Sequence, residues 1–208
     1  MGAIFPLGLP GIFEGSLFSR FKAMSRPASP FLRPMHPKTG IRPRPDTIQR
    51  VLQSGWVAQL KIHGHRAQIH VSSNPSEPVL VYNRQGRFHK KVMPTEMVTE
   101  VRRIFSPKKG WTVIDAEWLK GEDKLYVFDI MKKEGELLRK FTFPERWKLL
   151  PRLYLSPHVM TLPLIKGLEE CLEALKGSEP HIEGLIFKSL TTPGFSDTSI
   201  IRCRRSAV

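Results

Sequence analysis

The sequence predicts an α+β domain built on antiparallel sheets with flanking helices. Two observations carry this reading. Apolar and polar residues alternate in several short segments, the period-two mark of half-buried strands. Between those segments, other stretches repeat their apolar residues at helical spacing, so helices are interspersed among five or more strands. At 208 residues the chain is long enough for one such domain with a substantial core and an appended segment.

The elements follow in chain order. Residues 1–45 hold eight prolines from Pro6 to Pro45, with basic residues such as Arg20, Arg33 and Arg42 among them. Such a stretch forms no long helix and reads as an extended basic arm; the domain proper is expected over residues 46–208. Asp46 caps a short helix through Leu52. Trp56 to Leu60 is a short apolar strand, and Ala67, Ile69 and Val71 alternate with Arg66, Gln68 and His70 on another, so Lys61 is expected at the mouth of a hairpin with Gly64 in its turn. Thr95 caps a helix bearing Val98, Val101, Ile104 and Phe105.

A strand from Thr112 to Trp118 puts Asp115 and Glu117 on one face, because strand side chains alternate. Lys124 to Ile130 is a further strand bearing Phe128, and a short helix is expected from Pro144 to Leu150. Leu168, Cys171, Leu172 and Leu175 recur at helical spacing. On the strand from His181 to Lys188, Glu183 and Lys188 would face opposite ways unless a bulge occurs at Gly184. In the last strand, Arg202 and Arg204 share a face.

Composition bounds the partner and the compartment. A net charge of +14 and a pI near 10.1 fit a protein that binds a phosphate backbone. Two cysteines, Cys171 and Cys203, give neither a disulfide framework nor a four-ligand zinc set, so a reducing, cytoplasmic setting is expected. The apolar opening, Met1 to Phe13, is broken by Pro6, Gly8, Pro10 and Gly11 and lacks a basic flank. It matches neither a signal peptide nor a transmembrane segment.

Each charged feature taken alone fits a solvated surface: a basic hairpin, an acidic strand edge, a basic tail. Their order is more informative. Lys-x-x-Gly-x-Arg (Lys61, Gly64, Arg66), Asp-x-Glu (Asp115, Glu117), aromatic-Asp (Phe128, Asp129), Glu-Gly (Glu183, Gly184) and basic-x-basic (Arg202, Arg204) follow one another along the chain. This series resembles the lysyl-nucleotidyltransferase superfamily of ATP-dependent DNA ligases, RNA ligases and mRNA capping enzymes, over roughly Gly55 to Arg205. Arg66 to His70, Asn83 to Gly86, and Phe128 to Ile130 followed by Gly135, Leu138, Pro144 and Arg146 look most like DNA ligases.

The resemblance implies a nucleotidyltransferase (adenylation) domain, with no OB domain evident before Val208, and a set of roles. Lys61 is the nucleophile toward the α-phosphorus of ATP. Gln59 lies near the adenine, Arg66 and Glu117 hold the nucleotide sugar and phosphate, and Phe128 stacks on the purine. Glu183, with Glu117, binds Mg2+. Lys188, Arg202 and Arg204 contact phosphate. Crowding by Arg66, Arg202 and Arg204 would favour the neutral, nucleophilic amine of Lys61.

Some positions depart from the family pattern. His63 stands where DNA ligases usually have aspartate and where RNA-repair and RNA-editing ligases have histidine, which points to RNA and to contact with the substrate strand. Gln59 replaces a glutamate, and Arg202 and Arg204 replace lysines, exchanging a compact ammonium for a planar fork. The lack of an OB-type domain implies slow adenylation or a separate element that supplies the missing contacts. Sealing of nicks in duplex DNA is the leading expectation. An RNA ligase comes next, then a guanylyltransferase of the capping type, and the non-enzymatic alternative is a basic nucleic-acid-binding module on an inactive ligase scaffold.

Overall fold

A computed structural model describes residues 29–152 and 156–205; the first 28 residues of the basic arm, including the apolar opening, lie outside the described residues. In chain order the elements are β1 (Thr39–Ile41), α1 (Pro45–Gln53), β2 (Trp56–Ile62), β3 (Gly64–Ser72), β4 (Leu80–Tyr82), α2 (Thr95–Phe105) and β5 (Trp111–Leu119). They continue with β6 (Leu125–Lys133), β7 (Glu136–Leu137), α3 (Phe143–Lys148), β8 (Val159–Thr161), α4 (Leu168–Lys176), β9 (Ile182–Ser189) and β10 (Ile200–Arg204).

The strands make two sheets. The first has the order β1-β10-β9-β2, the second β4-β3-β5-β6-β7 with β8 beside β6. Pairing is antiparallel except for β1 with β10 and β8 with β6. Each sheet buries one face under helices. Ala67, Ile69, Ile114, Ala116 and Trp118 pack with Met97, Val101 and Phe105 of α2. Ala58, Leu185, Phe187 and Cys203 pack with Ile48 of α1 and Cys171 of α4. The period-two alternation then sends Gln59, Lys61, Arg202 and Arg204 from the first sheet, and Arg66 and Glu117 from the second, into a shared cavity between the sheets.

Several local expectations resolve differently. Lys61 and Gly64 do not share a hairpin: β2 ends at Ile62 in the first sheet and β3 begins at Gly64 in the second, so the chain crosses between sheets at His63. Gly64 needs no positive φ. It is required because a Cβ there would lie 2.3 Å from the Trp118 carbonyl oxygen of the neighbouring strand. Asp46 does not cap α1; the helix starts at Pro45 with Arg44 before it, and Asp46 instead pairs with Arg50 one turn on, at 3.6 Å. Thr95 is likewise the first residue of α2, with Pro94 in the capping position. The side-chain cap falls at α3, where Thr142 and Glu145 form a reciprocal capping box.

The proline-rich stretch is built into the domain from Phe31 onward. The amide of Leu32 donates to Gln68 Oε1 at 2.8 Å, and Gln68 Nε2 donates back to the Leu32 carbonyl at 2.7 Å. The His36 amide donates to Asp197 Oδ1 at 2.9 Å, and β1 extends the edge of the first sheet. Prolines suit this path because an edge segment leaves amides without ladder partners. Among the described residues no helix is long and apolar enough to cross a membrane.

Candidate active site

The cavity between the sheets has a volume of about 1020 Å³ and is lined by Gln59, Lys61, Arg66, Glu117, Phe128, Glu183, Lys188, Arg202 and Arg204, with His36 and Pro37 at one side. Every nucleotide or metal position expected from the sequence therefore reaches one space. His63 stands at its edge.

Lys61 occupies the last turn-free stretch of β2, opposite Gly184 of β9. The register slips there: Lys61 pairs with Gly184 and Ile62 with Ile182, which leaves Glu183 as the extra residue of a bulge. Gly184 has φ +144, and a Cβ on it would lie 2.2 Å from the Cys203 carbonyl oxygen, so only glycine fits. The bulge reverses the parity of the strand, and Glu183 joins Ile186 and Lys188 in the cavity. Cations do not surround Lys61 alone: its Nζ donates to Glu183 Oε2. His63 Nδ1 lies 2.5 Å from the other oxygen of the same carboxylate. Burial pushes the Glu183 carboxyl up, but the hydrogen bonds from Lys61 and His63 outweigh it and hold it below the ordinary carboxylate value.

Arg66 is fixed from three sides. Its Nε donates to Asp115 Oδ1 at 2.8 Å and its Nη2 to Oδ2, a two-bond fork. Nη1 donates to the Met35 carbonyl at 2.9 Å, and the guanidinium lies 5.2 Å from the Phe128 ring centre. Burial opposes the charge on Arg66, but the Asp115 carboxylate outweighs it and keeps the guanidinium protonated. Asp115 is thus taken up in orienting Arg66, which leaves Glu117 as the acid of this strand that faces the cavity. Burial raises the Glu117 carboxyl to about 7 against the opposing pull of Arg66 and Lys61.

Phe128 sits at a second bulge, where the register of β5 on β6 slips between Asp115–Asp129 and Ala116–Val127. Its ring is partly exposed to the cavity and is flanked by Arg66 and by Lys188, whose Nζ lies 4.9 Å from its centre. Lys188 is buried; its Nζ donates to the Phe128 carbonyl at 3.0 Å and lies 3.8 Å from Asp129 Oδ2. Burial lowers Lys188 to about 8 despite the Asp129 charge. Behind it, Arg146 of α3 forks onto Asp129 at 2.9 and 3.0 Å.

Sequence reading missed the Met35 carbonyl and His36 as parts of the site. A backbone oxygen leaves no side-chain signal, and the segment joins the cavity only through partners more than thirty positions away. The partnership of Asp129 with Arg146 is also tertiary, although both residues stand among the family-like positions.

The arrangement of two sheets with outer helices matches solved structures. The chain superposes on the ligase domain from M. tuberculosis LigD with a TM-score of 0.61 at 18% identity, covering 83% of this chain and 60% of that one. The fold is that of a ligase domain. A mycobacterial DNA ligase D complexed with ATP and MES gives a TM-score of 0.59, also at 18% identity and with the same 83% and 60% coverage. A Lig E DNA ligase gives 0.54 at 12% identity, covering 84% of this chain and 69% of that one. The chain therefore spans about 60% of the length of the LigD ligase domains it matches. No family model and no curated protein matches the sequence.

Proposed function

We propose that this protein is an ATP-dependent polynucleotide ligase that seals nicks in DNA through a covalent Lys61–AMP intermediate. The observation that supports it is the convergence of Lys61, two carboxylates and seven further basic residues on one cavity. Its volume of about 1020 Å³ stands at the upper end of the ~300–1,000 Å³ common for ligand sites.

ATP is the first substrate. Gln59 is buried, and its Nε2 is committed to the Leu162 carbonyl at 3.1 Å while Oε1 is left without a partner. Gln59 is part of the cavity lining, and an unpaired acceptor there suits the amino edge of adenine and opposes the carbonyl edge of guanine. Phe128 offers a ring for the base, and Arg66, Lys188, Arg202 and Arg204 offer charge for the phosphates. Lys61, as the free amine, forms a bond from Nζ to the α-phosphorus; the bond from that phosphorus to the bridging oxygen breaks, and pyrophosphate leaves with the electron pair. Nζ gives up one of its two protons to water as the phosphoramide forms and keeps the other. The adenylate next passes to a 5′-phosphate on the nucleic acid, and a neighbouring 3′-hydroxyl displaces AMP.

Mg2+ commonly binds through one or two carboxylates completed by substrate phosphates and water. Glu117 and Glu183 suit this donor set, and the half-buried Glu117 carboxyl, raised to about 7, has a charge that a cation would stabilise. These two residues would hold the ion, which when bound neutralises charge on the departing pyrophosphate.

A second reading, an RNA ligase, is favoured by His63, whose Nδ1 reaches the Glu183 carboxylate at 2.5 Å beside the nucleophile. Both readings are tested by sealing of a labelled 5′-phosphate at a nick in DNA, in RNA and in a hybrid duplex. Sealing of the DNA nick that disappears in Lys61→Ala supports the first; sealing of RNA alone supports the second. Equal sealing by wild type and Lys61→Ala would falsify both.

A further inference from the structure

Beside the cavity, the chain between β4 and α2 folds into a rigid hairpin. The Asn83 amide donates to the Arg87 carbonyl at 2.8 Å, Asn83 Oδ1 accepts from the amides of Gln85 and Arg87, and the His89 amide donates to Val81 at 2.8 Å. Gly86 turns the corner at φ +77. This geometry fixes Phe88, whose ring stacks on Tyr82 with centroids 5.0 Å apart and planes 19° apart. Tyr82 is itself 3% exposed, with Phe31 and His70 against it, so the stack has a firm base. Phe88 nonetheless remains 56% exposed.

The surroundings of this ring are cationic. Arg84, Arg87 and Lys90 are all exposed, and no carboxylate pairs with them among the described residues. Arg84 and Lys90 also line the cavity, and the charge of Arg84 acts on His36, another residue of its lining. Tyr82 lies directly opposite Gln68, two residues along β3 from Arg66, which places the stack on the sheet face that bears Arg66.

We infer that this hairpin is a base-stacking platform, Phe88 on Tyr82 ringed by Arg84, Arg87 and Lys90, that takes an unpaired nucleobase of a polynucleotide strand next to the cavity. Stacking on an aromatic face together with cations along the backbone is how single strands are gripped without regard to sequence. In a fully paired duplex the flat faces of the bases are covered by their neighbours, so such a platform selects a frayed, overhanging or gapped strand. The hairpin is already ordered, so little conformational entropy is lost when the base docks. The choice of a polynucleotide rests on the function proposed above; the preference for an unpaired base deepens it.

Binding is measured by fluorescence anisotropy of the full chain, without ATP, using a fluorescein-labelled oligodeoxyadenylate and a blunt duplex of equal length. Phe88→Leu keeps an apolar contact with Tyr82 but loses the aromatic face. Its affinity for the single strand is expected to fall about tenfold, equivalent to ~1.4 kcal/mol, while duplex affinity changes less than about twofold. Phe88→Trp is expected to hold or raise single-strand affinity. The platform is refuted when Phe88→Leu binds the single strand like wild type, when it loses single strand and duplex equally, or when Phe88→Trp loses as much as Phe88→Leu. Adenylation does not enter this assay: a Lys61 that takes no AMP overturns the ligase reading while the binding result still decides the platform.

Discussion

Replacing Arg146 by methionine removes the guanidinium that holds Asp129 beneath the cavity. Arg146 is 0% exposed and Asp129 1%, so neither is solvated by water. Arg146 gives four hydrogen bonds: two to Asp129 at 2.9 and 3.0 Å, one to the Phe141 carbonyl at 2.8 Å and one to Gly194 at 3.1 Å. Removing one partner of a buried pair strands the other charge, at a cost of ~3–5 kcal/mol. Lys188 remains 3.8 Å from Asp129, which favours the lower figure, about 3 kcal/mol. For a chain of this size each kcal/mol moves Tm by about 2–4 °C, so a fall of about 6–12 °C is expected. Thermal unfolding followed by far-UV circular dichroism measures the fall in Tm and urea unfolding the free-energy loss, and Asp129→Asn supplies the second arm of a cycle. The double variant should cost at least about 1 kcal/mol less than the sum of the singles, because the neutral amide leaves no stranded charge. Strict additivity, or a loss below about 1 kcal/mol for Arg146→Met, would refute the reasoning.

Three further outcomes follow from the site. Glu117 titrates at about 7 in the folded protein against an ordinary value of 4.5, so the folded state holds its proton more tightly. That stabilisation is complete below about 4.5 and lost as pH rises through 7; Tm should fall across this window in wild type, and the fall should be smaller in Glu117→Gln. Gly64→Ala would set a Cβ 2.3 Å from the Trp118 carbonyl, whereas Gly55, at φ +80, has open space around it. Urea unfolding should therefore show a loss of ~1–2 kcal/mol for Gly55→Ala and a clearly larger one for Gly64→Ala; equal losses would contradict the close-approach argument. Gln59→Leu removes the free acceptor and should narrow the preference for ATP over GTP in nucleotide-binding titrations, with an unchanged preference as the contrary result.

Local pattern was enough to anticipate which side chains of the candidate site face one cavity. The alternation of Gln59 and Lys61 with Ala58, and of Arg202 and Arg204 with Cys203, separates cavity residues from core residues because strand side chains obey a two-residue period wherever one face is buried. The same period required a bulge at Gly184 to bring Glu183 and Lys188 together, and the register slip supplies it. What the pattern could not reveal was which strands share a sheet. Lys61 and Gly64 are three residues apart and look like a hairpin, yet the backbone of β5 pulls Gly64 into the second sheet. The stretch from Phe31 to Ile41 reads as a free arm because its partners, Gln68, Asp197 and β10, are distant in sequence. The Asp115–Arg66 fork was hidden for a related reason: two acids on one strand face look equivalent until a neighbouring strand claims one of them.

The most direct test is chemical. The protein is incubated with labelled ATP and magnesium, denatured, digested, and searched by mass spectrometry for a peptide carrying one added AMP. An adduct on the peptide containing Lys61, absent from Lys61→Ala and released by pyrophosphate, is the expected result. No adduct under these conditions, or an adduct on another residue that survives in Lys61→Ala, would contradict the assignment of this amine as the nucleophile.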